Sequence, residues 1–480
     1  MGDVVITALT VSTLLVVSAW IVMEKRQPTS ALSWLLALIA LPYLGLFLYL
    51  LFGRRRLRRR SARKARKRAW LRKGLPHDVQ TAAGHRNEAA VKAIFERHRS
   101  LISLAMRHSE ESITIGNAVS ILCNASEAYP AIFRAIQDAQ RYVHVAYYIV
   151  KADQAGDRLR QALIAKAEQG VEVRFLYDGV GSWHLSKAWL APLRAAGVEV
   201  GVFLPIRFPL WPFRLRWNFR NHRKLVVVDG LIGFSGGLNI GEEYEGKGRR
   251  LGHWRDTHLR LVGPAVRGLE RVFVEDWHYA TGRSIEGGDF FPYPFCGGED
   301  LVQIIPSGPD LEWRSIHLQM FLAICTAVDR CYITTPYFVP DEAIRVALIS
   351  AALRGVDVRL LLPKRSDLRL VLWAGRSYYG ELIRSGVRIY EYQKGFLHSK
   401  TLVVDGSCGT VGSANMDIRS FKLNFEINAF IYGTGFASQL ESQFLADLAD
   451  AQEITLEVMA QRPLHYRLFE AYARLTSPLL

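Results

Sequence analysis

The sequence predicts an α/β chain of two pseudo-symmetric domains, each a mixed, largely parallel sheet flanked by helices, behind an N-terminal transmembrane helical hairpin. One polar motif occurs twice at a constant offset, the same order of strand-like and helix-like stretches precedes each copy, and two long uncharged apolar stretches open the chain.

From Val4 to Met23 twenty residues carry no charge, and from Ser30 to Phe52 another twenty-three. Roughly 20 apolar residues cross a bilayer as a helix, so both stretches are read as spans. Asp3, not Lys or Arg, precedes the first and a second span follows at once, which fits a cleaved signal peptide poorly. Pro42 is tolerable inside a membrane helix. RRRLRRRSARKARKR follows, and Arg54 to Lys73 holds thirteen basic residues and no acidic one. Basic flanks stay in the cytoplasm, which places both ends of the hairpin, and everything after it, on that side. The formal charge of +16 falls to about +3 without those thirteen, so the basicity is mostly membrane-proximal. It matches attraction to anionic lipid headgroups, and the abutting span argues against a nucleic-acid-binding arm. The five cysteines form no CxxC, as in a reducing compartment.

Residues 1–53 are thus expected to form two spans, 54–110 a basic helical linker, 111–290 one domain and 291–480 another, with the boundary near the Gly- and Pro-rich GGDFFPYPFCGGED. In the first domain RYVHVAYYIV reads as a strand, RLRQALIAKAEQG as a helix closed by Gly170, VEVRFLYDG as a strand, and WLAPLRAAG as a helix before VEVGVF. RCYITTPYFV, RVALISAALRGVDVRLLLP and YYGELIRSGVRIYEY repeat that order in the second. Alternating strands and helices imply α/β layers with a largely parallel sheet.

The duplicated motif reads NHRKLVVVDGLIGFSGGLNIGEEY and then LHSKTLVVDGSCGTVGSANMDIRS. His222, Lys224, Asp229, Gly236, Gly237 and Asn239 recur as His398, Lys400, Asp405, Gly412, Ser413 and Asn415, always 176 residues on. A repeat that only packs would preserve apolar residues, whereas here the polar ones persist. Residues i and i+2 of a strand share a face, so each His should project beside its Lys. Two imidazoles and two ammonium groups suffice for phosphodiester exchange: a nucleophile, a leaving-group acid and charge neutralisation on phosphate. Neither copy has metal-ligand spacing, and Lys at i+2 repels a cation, so no metal and no cofactor are expected.

Self-alignment past the motif pairs WRDTHLRLVG with NFEINAFIYG, and so Asp256 with Glu426. Asp229 and Asp405 precede glycines at a strand end, a place suited to bonding turn amides. Asp256 and Glu426 are therefore expected to orient the imidazoles by accepting a ring N–H, Asp256 for His222 and Glu426 for His398.

These motifs make the chain resemble the phospholipase D superfamily, and FRNHRKLVVVDG, GGLNIGEEY, WRDTHLRLVGPAV, VQIIPSGPD, TPYFVP, FLHSKTLVVDG, FKLNFEIN and the terminal RLTSPLL make it similar to the two-motif bacterial cardiolipin synthase family. The resemblance implies that His222, Lys224, Asp229, His398, Lys400 and Asp405 are catalytic and that Asn239, Asn415 and Ser413 bind substrate phosphate. It implies His222 as nucleophile and His398 as acid and base, roles that sequence symmetry alone leaves open. The implied reaction joins two phosphatidylglycerols into cardiolipin and glycerol through a phosphohistidine; a membrane-bound phospholipase D or other phosphodiesterase using water is the alternative. Implied partners are phosphatidylglycerol and anionic membrane lipids, with no nucleic acid. The implied location is the bacterial inner membrane, multi-pass, with catalysis on the cytoplasmic side. Phosphatidylethanolamine stays open as donor, and so does a homo-oligomeric state. Ala146 departs from the family, which usually carries Glu before the two tyrosines.

Overall fold

The structure, a computed structural model, describes residues 2–23, 28–49, 88–108, 112–205, 218–248, 251–285, 290 and 298–477. The basic segment 54–73 and most of the expected boundary around 287–300 lie outside the described residues.

Two compact units divide the chain. The N-terminal unit holds the helices Gly2–Met23, Pro28–Ala40 and Pro42–Leu48, with Ile21, Leu38 and Tyr49 buried together and Trp34 edge-on to Tyr49 at 5.5 Å. The stretch expected as one second span is divided at Leu41, because Pro42 opens a new helix. Side chains of the first helix are described from Ser12 onward, and among the described residues no helix is long and apolar enough to cross a membrane.

The other unit contains both halves of the repeat, joined in one continuous sheet. Through the first half the order runs Glu199–Phe203, Glu172–Asp178, Tyr142–Tyr147, Leu225–Val228, Ile232–Gly236, Thr257–Val262, Thr114–Cys123. It continues into the second through Asp300–Ser307, Asn424–Tyr432, Cys408–Gly412, Thr401–Val404, Arg330–Thr334, Asp357–Pro363, Arg388–Tyr392 and Ala451–Ile454. The halves meet where Thr114 pairs with Val302 and Asn117 with Asp300.

The sheet is mixed, but the expectation that it is largely parallel is corrected. Along the strand order just given, parallel pairing is confined to three strands in each half, where helical crossovers such as Gln154–Glu168 and Glu342–Leu353 return the chain. The centre is antiparallel because each motif strand turns straight back as a hairpin. Asp229 and Gly230 have φ of 55° and 71°, and Asp405 and Gly406 have 50° and 57°. Positive φ at both central residues is what a tight hairpin turn needs, and Asp-Gly is a favoured pair for it.

Helices cover both faces of the sheet. Val266–Thr281 and Thr434–Leu448 bury Phe273, Trp277, Phe436 and Phe444 in a core shared by the two halves, and separate cores lie on the opposite face. Residues 88–108, expected within a linker, form two helices whose Leu101, Ile102 and Ala105 are buried in the second half's core.

Candidate active site

Each histidine follows a short strand that pairs with a strand of the opposite half. Arg220–Asn221 pairs in parallel with the start of Asn424–Tyr432, setting Asn221 against Phe425, and Gly395–Leu397 pairs with His253–Arg255, setting Leu397 against Arg255. The backbone amides of His222 and His398 continue these pairings, donating to the carbonyls of Phe425 (2.9 Å) and Arg255 (2.7 Å). The next residue on the partner strand is the carboxylate. His222 Nδ1 therefore lies 3.0 Å from Glu426 Oε2, and His398 Nδ1 lies 2.7 Å from Asp256 Oδ2. The expected pairing within each half is corrected: the carboxylates cross over, Glu426 to His222 and Asp256 to His398, because strand pairing near the histidines runs between halves.

The lysines complete one polar cluster. Lys224 Nζ donates to the His222 carbonyl at 2.6 Å and stands 5.4 Å from the Tyr148 ring, which is edge-on to His222. Lys400 Nζ donates to the His398 carbonyl and lies 3.0 Å from His398 Nδ1. Burial, only partly opposed by Glu426 and reinforced by Lys224, pulls the His222 pKa down to about 4. Burial and then Lys400 bring His398 down to about 4 against the pull of Asp256. Burial also lowers Lys400 to about 8 and holds Lys224 well below the usual lysine range. Burial opposes ionisation of Asp256, yet Lys400 and His398 keep its carboxyl below the usual range; His222 and Lys224 do the same for Glu426. Each lysine lowers the other half's histidine, so the two motifs share one electrostatic environment.

The remaining expected residues are distributed differently. Asp229 accepts the backbone amides of Gln140, Arg141 and Tyr142 at 2.8–2.9 Å, and Asp405 those of Val328, Asp329 and Arg330, so both anchor the start of a neighbouring strand rather than reach an imidazole. Ser413 donates its hydroxyl hydrogen to Glu426 at 2.5 Å and accepts from the Ile427 amide, which ties it to the carboxylate that holds His222. Asn239 donates to Tyr244 Oη at 2.8 Å and accepts from the Ile149 amide. The side-chain oxygen of Asn415 is buried without a hydrogen-bond partner. Ala146 is buried in the strand Tyr142–Tyr147, set against Leu225 and Leu176.

Several supporting residues were not singled out from the sequence. Arg223, between His222 and Lys224, is 1% exposed; it bonds both Asp276 oxygens at 2.7 Å and donates to the carbonyls of Glu426 and Ser307. Its counterpart Ser399 donates to Thr257 Oγ1 at 2.6 Å. Both tie a histidine strand to the opposite carboxylate strand. Asn424 donates to Glu426 Oε1 at 3.1 Å.

Two imidazoles, each with Nδ1 on a carboxylate and Nε2 turned away from it, beside two lysines and between the halves of one mixed sheet, define a phospholipase D-type enzyme. The family model described as "Cardiolipin synthase, PLD-like domain" matches residues 132–247 and 320–448, and one described as "Phospholipase_D-nuclease N-terminal" matches 11–54. A cardiolipin synthase of Geobacillus sp. strain WCH70 is 46% identical over 95% of this chain and 90% of its own length. A cardiolipin synthase 2 of Bacillus anthracis is 43% identical over 96% of this chain and 88% of its own. The crystal structure of a phosphatidylserine synthase from Haemophilus influenzae Rd KW20 shares the fold, with a TM-score of 0.60 at 14% identity, over 79% of this chain and all of that one. The chain belongs to the cardiolipin synthase family.

Proposed function

We propose that the chain transfers a phosphatidyl group from one phosphatidylglycerol to another, giving cardiolipin and glycerol through a phosphohistidine. The reading rests on the crossed histidine–carboxylate pairs, which leave Nε2 of both rings for chemistry beside two lysines. His222, with a pKa of about 4, is a free base at neutral pH, as a nucleophile must be. Its Nε2 forms a bond to phosphorus while the P–O bond to the headgroup glycerol breaks. His398 gives its proton to the departing alkoxide, then takes one from the entering hydroxyl of the second lipid as that oxygen attacks phosphorus and the P–N bond breaks. A phosphodiester anion beside His398 favours its protonated form and offsets the burial that disfavours it. Lys224 and Lys400 neutralise the non-bridging oxygens, and Asn239 and Asn415 donate further hydrogen bonds to the phosphate. Glu426 and Asp256 hold each ring in the Nδ1–H tautomer.

Purified protein incubated with phosphatidylglycerol in detergent should yield cardiolipin and glycerol in equal amounts, at an unchanged rate in EDTA. Phosphatidic acid as the dominant product would replace transfer with hydrolysis, and loss of activity restored by one added ion would remove the metal-free mechanism.

The same proposal places the stretches 4–23 and 30–52 in the bacterial inner membrane with the catalytic unit in the cytoplasm. It is supported by their lack of charge, the basic segment that follows and the N-terminal family match. A reporter fused after Leu480 should be active in its cytoplasmic form; activity only in its exported form would contradict this topology.

A further inference from the structure

Helix Leu464–Leu475 has its polarity inverted. A surface helix ordinarily turns apolar residues inward. Here the inward positions are Glu470, 6% exposed and paired with Arg462 at 2.9 Å, and Ala473, 1% exposed. Leu464, Leu468, Tyr472 and Leu475, spaced by four, four and three, form one stripe on the opposite side, and the last three are 62%, 70% and 76% exposed. Arg467 and Arg474 are exposed along one edge of the stripe.

The apolar surface extends toward the catalytic cluster. Helix Arg369–Arg376 packs beside Leu464–Leu475 through Trp373, stacked on Phe469 at 5.6 Å, and presents exposed Leu370 and, just before it, Leu368. Arg365 and Arg369 are exposed beside them. Asp367 in the same loop accepts the Tyr337 hydroxyl at 2.7 and 2.9 Å, and the Tyr337 ring stands edge-on to His398 at 6.4 Å.

From this outward stripe, its arginine border and its continuity with the His398 side, we propose that helix Leu464–Leu475 and the segment Leu368–Leu370 form a docking surface for an anionic phospholipid bilayer. Leu and Tyr enter the headgroup–acyl boundary while the arginines meet lipid phosphates, the pattern of an interfacial helix. Exposed apolar surface of this kind marks an interaction site, and the basic border selects anionic lipid over a neutral partner. The inference rests on the proposed lipid substrate: contact on this side would bring the acceptor hydroxyl to His398 directly from the bilayer.

The test uses the full chain reconstituted in vesicles of phosphatidylglycerol and phosphatidylcholine, with a bimane label on Tyr472→Cys and the unsubstituted chain carried through the same labelling as background. Quenching by doxyl-labelled lipid, with little quenching by aqueous iodide, is expected. Quenching by iodide alone overturns the proposal. Protection from both quenchers that grows with protein density also overturns it, in favour of a second copy of this chain. In the variant L468E/Y472E/L475E, transfer from vesicle phosphatidylglycerol should fall by about tenfold or more, while transfer with dihexanoyl phosphatidylglycerol below its micellar concentration stays within about twofold. Equal loss on both substrates would mean a structural role and overturn the proposal. Doxyl quenching in a protein that makes no cardiolipin would leave the docking surface standing and remove the proposed reaction.

Discussion

His222→Ala is expected to abolish phosphatidyl transfer, and His398→Ala to lower it by about 10²–10⁴-fold, the usual contribution of a general acid–base. Both rings stand at the margin of the core, 7% and 5% exposed, so both variants should fold. The two differ in the chemistry they block, which an activated substrate separates. A p-nitrophenyl phosphatidyl ester releases its alcohol without needing a proton. His398→Ala should therefore still give a burst of about one p-nitrophenol per enzyme and accumulate an acid-labile phosphohistidine, because the missing base stalls only the second step. His222→Ala should give no burst. The reverse pattern would exchange the two roles, and near-normal turnover in either variant would end the shared-site mechanism. In the wild-type protein the burst rate should stay level as pH falls and decline only toward pH 4, where His222, with its pKa lowered to about 4, gains a proton.

Glu426→Gln and Asp256→Asn should each lower turnover by about 10⁴-fold, the scale seen when an amide replaces the carboxylate that orients a catalytic imidazole and so stabilises the wrong tautomer. The crossed geometry makes their effects distinguishable. Glu426 serves His222 across 3.0 Å, so Glu426→Gln should suppress the p-nitrophenol burst itself. Asp256 serves His398 across 2.7 Å, so Asp256→Asn should spare the burst and slow only the steps that move a proton. Pairing within each half would produce the opposite assignment. Ser413→Ala provides a milder check on the same side as Glu426, since its hydroxyl donates to that carboxylate.

The duplicated His–Lys motif, the carboxylates aligned past it and the order of outer strands and helices were legible in the chain because they are local. Period-2 alternation places His222 beside Lys224, and a Gly-closed helix between two apolar runs reads as a crossover wherever it docks. The Asp-Gly pairs at 229–230 and 405–406 also carried a hairpin signal, and their antiparallel returns are what displaced the largely parallel sheet. The contact of Ser413 with Glu426 was not legible, because its position in the motif names a hydroxyl but not the acceptor that hydroxyl faces.

The sequence by itself determined the repeat, the chemistry of the paired motifs, the basic segment after the apolar stretches and the candidacy of Asp256 and Glu426. Only the tertiary structure decided which carboxylate meets which histidine. Aligning the repeat with itself relates equivalent positions and carries no information on which half supplies a neighbour. That choice belongs to the two parallel pairings, Asn221 against Phe425 and Leu397 against Arg255, whose partners lie in opposite halves. Backbone hydrogen bonds between strands distant in sequence set that register, and the side chains one residue further on follow it.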